Sequence, residues 1–184
     1  MPKGQKMKLV KITDKLYAKQ LKKLYKNAFP RAERKPLSLI KNRCKEGKME
    51  VFAVISDACE FAGVVITALG ESAVLIDYLA ISTEVRSCGY GSQTLEILKK
   101  IYDGKKLIIE IEDPDVPSKN REQRIKRKNF YLKNGFKPLD FKISLFGCEM
   151  IMLGFPDCIS FDEYRAIQES IFRKFPENKI YKIS

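Results

Sequence analysis

Apolar positions along this chain change their period several times, and each change marks an element. Thr13 and Asp14 read as a helix start, followed by Tyr17, Leu21, Leu24, Tyr25 and Ala28 on one face, with Lys15, Lys19, Lys22, Lys23 and Lys26 elsewhere. Pro30 ends that helix. Pro36 suits the first turn of a second, short helix running through Leu37, Leu39, Ile40 and Cys44 to Gly47. Met49 to Ser56 and Phe61 to Leu69 are apolar, β-branched runs separated by the polar break Asp57 to Glu60, which predicts a hairpin. After the turn at Gly70 and Glu71, Ala73 to Ile81 extends it into an antiparallel meander. From Gly91 the period becomes helical, with Leu95, Leu98, Ile101 and Tyr102 recurring on one face until Gly104. Lys106 to Glu112 then returns to strand.

Strand, glycine turn, helix, strand is a βαβ unit, so Ala73 to Ile81 and Lys106 to Glu112 are expected to be parallel neighbours. Asp113 to Pro117 read as a loop, and Ser118 as the cap of a basic helix that ends at Gly135. Phe136 to Phe146 and Cys148 to Leu153 read as a closing hairpin around Gly147, and Ser160 caps a last helix, 160 to 175. The expected fold class is α/β with a mixed sheet, as one domain spanning residues 1 to 184.

Composition narrows the chemistry. The chain has no histidine, which removes the Ser-His-Asp triad, the Cys-His dyad and every histidine ligand. Proton transfer is left to carboxylates, Tyr, Lys, Cys or water. Five cysteines form no C-x-x-C pair, so neither a disulfide framework nor a metal site is expected. No apolar run reaches the roughly 20 residues of a membrane span, and none follows the basic N-terminus as in a signal peptide, so a cytoplasmic location is expected. The net charge of +12 is unevenly placed: residues 1 to 48 hold sixteen Lys/Arg against three Asp/Glu. Such a face attracts nucleic acid, an acidic partner or an anionic cofactor, or is a solvated lysine-rich helix surface.

The most specific chemistry lies at Arg86-Ser87-Cys88-Gly89-Tyr90-Gly91, between a strand and an amphipathic helix. Unpaired N–H groups and the positive end of the dipole converge at such a helix start, which suits a diphosphate. Gly89 and Gly91 remove the Cβ atoms that would hold an anion away, and either can supply a positive φ. The dinucleotide fingerprint wants a third glycine where Thr94 stands, and no G-x-x-x-x-G-K-[ST] occurs.

Leu79-Ala80-Ile81, then Ser82 to Val85, then Arg86-x-x-Gly89-x-Gly91 resembles motif A of the GNAT acetyltransferases, and Asn129-Phe130-Tyr131-Leu132-Lys133-Asn134-Gly135-Phe136 resembles their motif B. The match covers roughly residues 49 to 153, with the cofactor motifs at about 73 to 136. The resemblance implies a mixed sheet whose paired parallel strands splay apart, and acetyl-CoA as co-substrate with no metal. It assigns the pyrophosphate to the turn from Arg86 through Ser87, Cys88, Gly89, Tyr90 and Gly91 to Ser92. Leu79, Ala80 and Ile81 would present backbone groups to the pantetheine and the thioester. Tyr131 matches the tyrosine that protonates the departing thiolate. Cys88 reads as a spacer.

For the base, Glu110 and Glu112 alternate on one strand face where apolar residues are expected, and Asp77 is the rival; each carboxylate could instead pair with a lysine or bind the acceptor's ammonium. Where many family members carry an asparagine seven residues before the tyrosine, this chain has Arg124, which offers itself to a CoA phosphate. Phe29 to Pro36 is a candidate acceptor rim whose positive charge favours an anionic amine over a polyamine. The function implied is N-acetyl transfer to a primary amine of a small molecule or peptide, in a chain that would dimerise, if at all, through a sheet edge. The competing class is a nucleic-acid or acidic-partner binder with a vestigial or regulatory acetyl-CoA site.

Overall fold

The β-branched run Met49–Ser56 forms strand β2, which pairs antiparallel with β3, Phe61–Leu69, from Met49↔Ala68 to Ile55↔Phe61. The register slips by one residue between Val54 and Ile55, a bulge that passes over Ala62 and brings Phe61 opposite Ile55. The computed structural model describes residues 7–12, 17–156 and 159–184. Around this hairpin lie β1, Met7–Lys11, and the helices α1, Ala18–Ala28, and α2, Leu37–Lys45. β4 is Ala73–Ile81, α3 is Tyr90–Ile101 and β5 is Lys106–Glu112. Then come α4, Arg121–Lys133, the hairpin β6, Lys137–Leu145, and β7, Cys148–Phe155, α5, Phe161–Phe172, and β8, Ile180–Lys182.

The strands form one eight-stranded sheet in the order β1-β2-β3-β4-β5-β7-β6-β8. β4 and β5 are parallel, as the βαβ reading expects, whereas β5–β7, β6–β7 and β6–β8 are antiparallel. The parallel register covers three pairs, Ala73↔Lys106 to Leu75↔Ile108, although β4 runs on to Ile81 and β5 to Glu112.

The chain is organised as two compact units, and it crosses between them inside β4. The first comprises Met1–Ala68 and Asp77–Asp103, the second Leu69–Ile76 and Gly104–Ser184. In the first, α2 lies on β2 and α3 on β1, over a core that includes Val54, Val64, Val65, Leu95 and Leu98. Behind α3, the hydroxyls of Thr67 and Tyr102 are 2.7 Å apart, and Tyr102 donates to Glu50 at 2.6 Å. In the second unit α4 lies on β5, and Leu107, Ile108, Leu153, Phe136, Ile167 and Ile171 are buried.

Boundaries depart from the sequence expectation in places with identifiable causes. Strands β1 and β8 were not foreseen: they are five and three residues long, too short to display a period. The proposed helix start at Thr13 and Asp14 lies outside the described residues. α4 begins at Arg121 behind Asn120, with no side-chain cap, and not at Ser118. At α5, Ser160 does cap: its hydroxyl accepts from Glu163 N–H at 3.2 Å while the Glu163 carboxylate accepts from Ser160 N–H at 2.9 Å.

Candidate active site

In the first unit, β4 leads directly into the turn. Ser82 N–H donates to the Ala62 carbonyl at 2.8 Å, which ties the strand end to β3, and a 3-10 turn follows at Thr83–Val85. Arg86 is extended, with its Nε reaching back to the Ile81 carbonyl at 3.4 Å. Ser87 and Gly89 both have positive φ, 68° and 83°. Two left-handed residues in four reverse the chain so that α3 starts at Tyr90, with no side chain capping it. The first bond into the helix is Gln93 N–H to the Gly89 carbonyl at 3.1 Å, so the amides of Gly91 and Ser92 stand ahead of the helix's own hydrogen-bond ladder. Buried Tyr90, Thr94, Leu95 and Leu98 anchor the helix from its first turn onward.

Of the two glycines in the turn, Gly89 is the one with a left-handed backbone. Gly91 lies within α3, so its missing side chain matters only for close approach. The second left-handed position belongs to Ser87, which nothing in its residue type announces. Cys88 is exposed.

Upstream of the turn, Asp77 is engaged on one side only. Lys35 Nζ donates to its Oδ1 at 2.7 Å, and the two side chains are 11% and 3% exposed. Asp77 Oδ2 is buried with no hydrogen-bond partner. Next to it, the Tyr78 hydroxyl accepts from Lys35 N–H at 2.9 Å and donates to the Glu33 carbonyl at 2.8 Å, while Tyr25 donates to the Lys35 carbonyl at 3.0 Å. Burial pushes Tyr25 up to about 12 and, with the Asp77 charge, pushes Tyr78 further still. Residues 33 to 35 are thus stitched to β4 at the two positions preceding Leu79.

In the second unit, Tyr131 lies on α4, 7% exposed, between the rings of Phe130 and Phe136 at 5.0 and 5.8 Å. Burial raises its phenol to about 12, against a small opposing pull from Arg127. Among the described residues none hydrogen-bonds its hydroxyl. Glu110 and Glu112 have different surroundings. Glu110 Oε1 accepts from the Tyr164 hydroxyl at 2.7 Å and from Gln168 Nε2 at 2.8 Å, both on α5. Glu112 is clasped from α4 by Arg124 at 2.7 Å and Arg127 at 2.9 Å, with Asn120 at 3.4 Å. Arg124 also donates to the Asp113 carbonyl at 3.0 Å, so its guanidinium is occupied inside this unit. Asp113 is buried too. Desolvation would raise its carboxyl, but Lys142 at 2.6 Å and the Asp115 N–H outweigh that and hold it below the usual range.

The sequence-derived candidates therefore divide. Asp77, Leu79, Ala80, Ile81 and the turn from Arg86 to Ser92 belong to the first unit, and Glu110, Glu112, Arg124 and Tyr131 to the second. Three features escaped the sequence: the Tyr164 and Gln168 clasp on Glu110, the Arg127 bond to Glu112, and Gly63. An added Cβ at Gly63 would meet the Ala80 carbonyl oxygen at 2.6 Å and Ile81 Cδ1 at 2.9 Å. A glycine inside a β-branched strand was the available signal for it. Among the described residues no group of His, Cys, Asp and Glu is arranged to hold a metal, and no helix is long and apolar enough to cross a membrane.

The sequence matches no protein-family model and no curated protein. Solved structures do match. A protein from Bacteroides thetaiotaomicron, described as a GNAT-family acetyltransferase, superposes with a TM-score of 0.69 at 18% identity, covering 90% of this chain and 95% of that one. The spermidine N-acetyltransferase of Vibrio cholerae, in complex with CoA and spermine, gives 0.62 at 12% identity over 86% and 97% of the two chains. The ribosomal-protein-S18-alanine N-acetyltransferase of Escherichia coli gives 0.59 at 15% over 85% and 96%. The eight-stranded mixed sheet, its single parallel pair and these superpositions give the chain the fold of the GNAT acetyltransferases.

Proposed function

We propose that this chain is an acetyl-CoA-dependent N-acetyltransferase acting on a primary amine of a small molecule or peptide. The observation that carries the reading is the start of α3, which no side chain caps, behind a turn with two left-handed residues, in this fold. Its amides, from about Ser87 to Ser92, suit the pyrophosphate of the co-substrate. The motif resemblance adds Leu79, Ala80 and Ile81 as backbone partners of the pantetheine and the thioester carbonyl.

The acceptor nitrogen, as the free amine, attacks the thioester carbon, and backbone N–H groups stabilise the oxyanion. The C–S bond then breaks and the thiolate takes a proton. Tyr131 is the donor in this scheme: its hydroxyl has no competing partner among the described residues, and a phenol held near about 12 stays protonated at neutral pH. The proton lost by the amine restores the balance. Of the three carboxylates, Asp77 is the favoured acceptor for it, because Oδ2 is unengaged whereas two guanidinium groups hold Glu112.

Measuring CoA release from acetyl-CoA across a panel of primary amines tests the reading. Turnover with at least one amine that collapses in Tyr131→Phe supports it. No turnover with any acceptor, alongside salt-sensitive RNA binding, supports the binding-protein alternative.

A further inference from the structure

The acceptor is the least specified part of the proposed reaction, and one feature of the first unit bears on it. An open basin of about 770 Å³ lies along the α1–α2 connection, walled by Tyr25 and by Lys22, Lys26, Arg31, Arg34 and Lys35. Five cations line it and no carboxylate does. Among the described residues none of Lys22, Lys26, Arg31 and Arg34 has a carboxylate within ion-pair distance, and Arg34 Nε is buried with no hydrogen-bond partner. A buried guanidinium nitrogen without an acceptor costs stability unless something fills that role.

The basin is also fixed to the strand that matters. Lys35 joins its wall to Asp77 through the side chain and to Tyr78 through its N–H. With a strand rise of roughly 3.3 Å per residue, Asp77 lies about 7 Å from Leu79, where the resemblance begins the thioester-binding backbone. Lys35 thus couples the basin wall to the strand two residues before that backbone.

We infer that the basin binds an anionic group, phosphate or carboxylate, of the acceptor, so that the substrate class is a small primary amine bearing a negative charge. This rests on the acyl-transfer reading, since only that makes the bound anion part of an acceptor. A polyamine is disfavoured by the same charges, because Lys22, Lys26, Arg31 and Arg34, with no carboxylate in the lining to offset them, repel a polycation in an open, hydrated basin.

Matched acceptors decide it: O-phosphoethanolamine and β-alanine against uncharged ethanolamine and against spermidine, with CoA release as the readout. One or both anionic amines should exceed ethanolamine at least tenfold in kcat/KM, with spermidine poorest, and which of them leads tells phosphate from carboxylate. In the exposed triple variant Lys22→Gln/Lys26→Gln/Arg31→Gln, and separately in Arg34→Gln, that preference should fall at least fivefold through KM, with the KM for acetyl-CoA unchanged. A charge-matched variant remote from the basin, Lys41→Gln/Lys45→Gln/Lys48→Gln, should keep it. The inference is overturned if ethanolamine or spermidine equals the anionic amines, or if the preference survives the basin variants. Absence of CoA release with every amine is instead failure of the acyl-transfer reading. Titration with inorganic phosphate then judges the basin by itself: wild type and the remote variant should bind at least tenfold tighter than the basin triple variant, and equal binding overturns the site.

Discussion

At the scale of single residues, what matters is which polar groups are already satisfied. Tyr131 has a buried, protonated phenol with no hydrogen-bonding side chain beside it among the described residues, so Tyr131→Phe should lower kcat roughly a hundredfold. It should leave the KM for acetyl-CoA and the thermal midpoint nearly unchanged, as stopped-flow kinetics and calorimetry would record. The sign of the pH dependence follows. With its phenol raised to about 12, Tyr131 stays protonated through neutral and mildly alkaline pH, so kcat/KM should climb with pH as the amine loses its proton and show no falling limb below pH 10. A fall with a midpoint near pH 8 or 9 would remove Tyr131 as the acid. Asp77 and Lys35 are a buried pair, and Asp77→Asn leaves an ammonium without its counter-charge, at a cost of about 3 kcal/mol in chemical denaturation. The sequence revealed where the carboxylates stand but not their engagements. Alternation assigns Glu110 and Glu112 to one strand face, whereas their partners, Tyr164, Gln168, Arg124 and Arg127, come from helices whose approach is a tertiary fact.

At the scale of elements, the long periodic segments were readable. The hairpin β2–β3, β4, α3, β5 and α5 follow from period, glycine turns and the Ser160 cap, because each supplies its own local signal. Edge strands β1 and β8 and the start of α4 carry no such signal and are fixed by pairing or by contact. The capping box at α5 has a pH signature. Burial alone would raise Glu163, but the Ser160 N–H, the Ser72 hydroxyl and Lys106 together draw it down to about 2, from 4.5. Its contribution is therefore complete above pH 4.5 and is lost as pH falls toward 2. The gap in thermal midpoint between wild type and Glu163→Gln should narrow over that window, and a constant gap would show that the carboxylate charge is irrelevant. Gly63 ties an element to the chemistry. Gly63→Ala drives a methyl against the Ala80 carbonyl oxygen, and should cost about 1–3 kcal/mol of stability and lower kcat by displacing β4.

At the scale of the whole molecule, the fold was legible and its division into two compact units was not. Period and turn chemistry describe local segments, and nothing local to Ile76 and Asp77 marks the crossing between units inside one strand. The excess of positive charge in residues 1 to 48 was visible in the sequence. The lining of a basin by five of those cations, and the attachment of Lys35 to β4, arise only when α1 and its connection fold over the strand. A last consequence concerns α3, the helix that begins with no cap of its own. If the proposed co-substrate binds there, it is the N-terminal cap of that helix, and its arrival should be recorded as slowed hydrogen exchange at Gly91 and Ser92. The fragment carrying only the adenosine diphosphate portion should give the same protection without the acyl arm. Saturating ligand, at about a hundred times its Kd, should add about 2.7 kcal/mol to global stability. The buried ring of Tyr90 holds the first turn of α3 in place, so an anion bound there would dock on a preformed helix end.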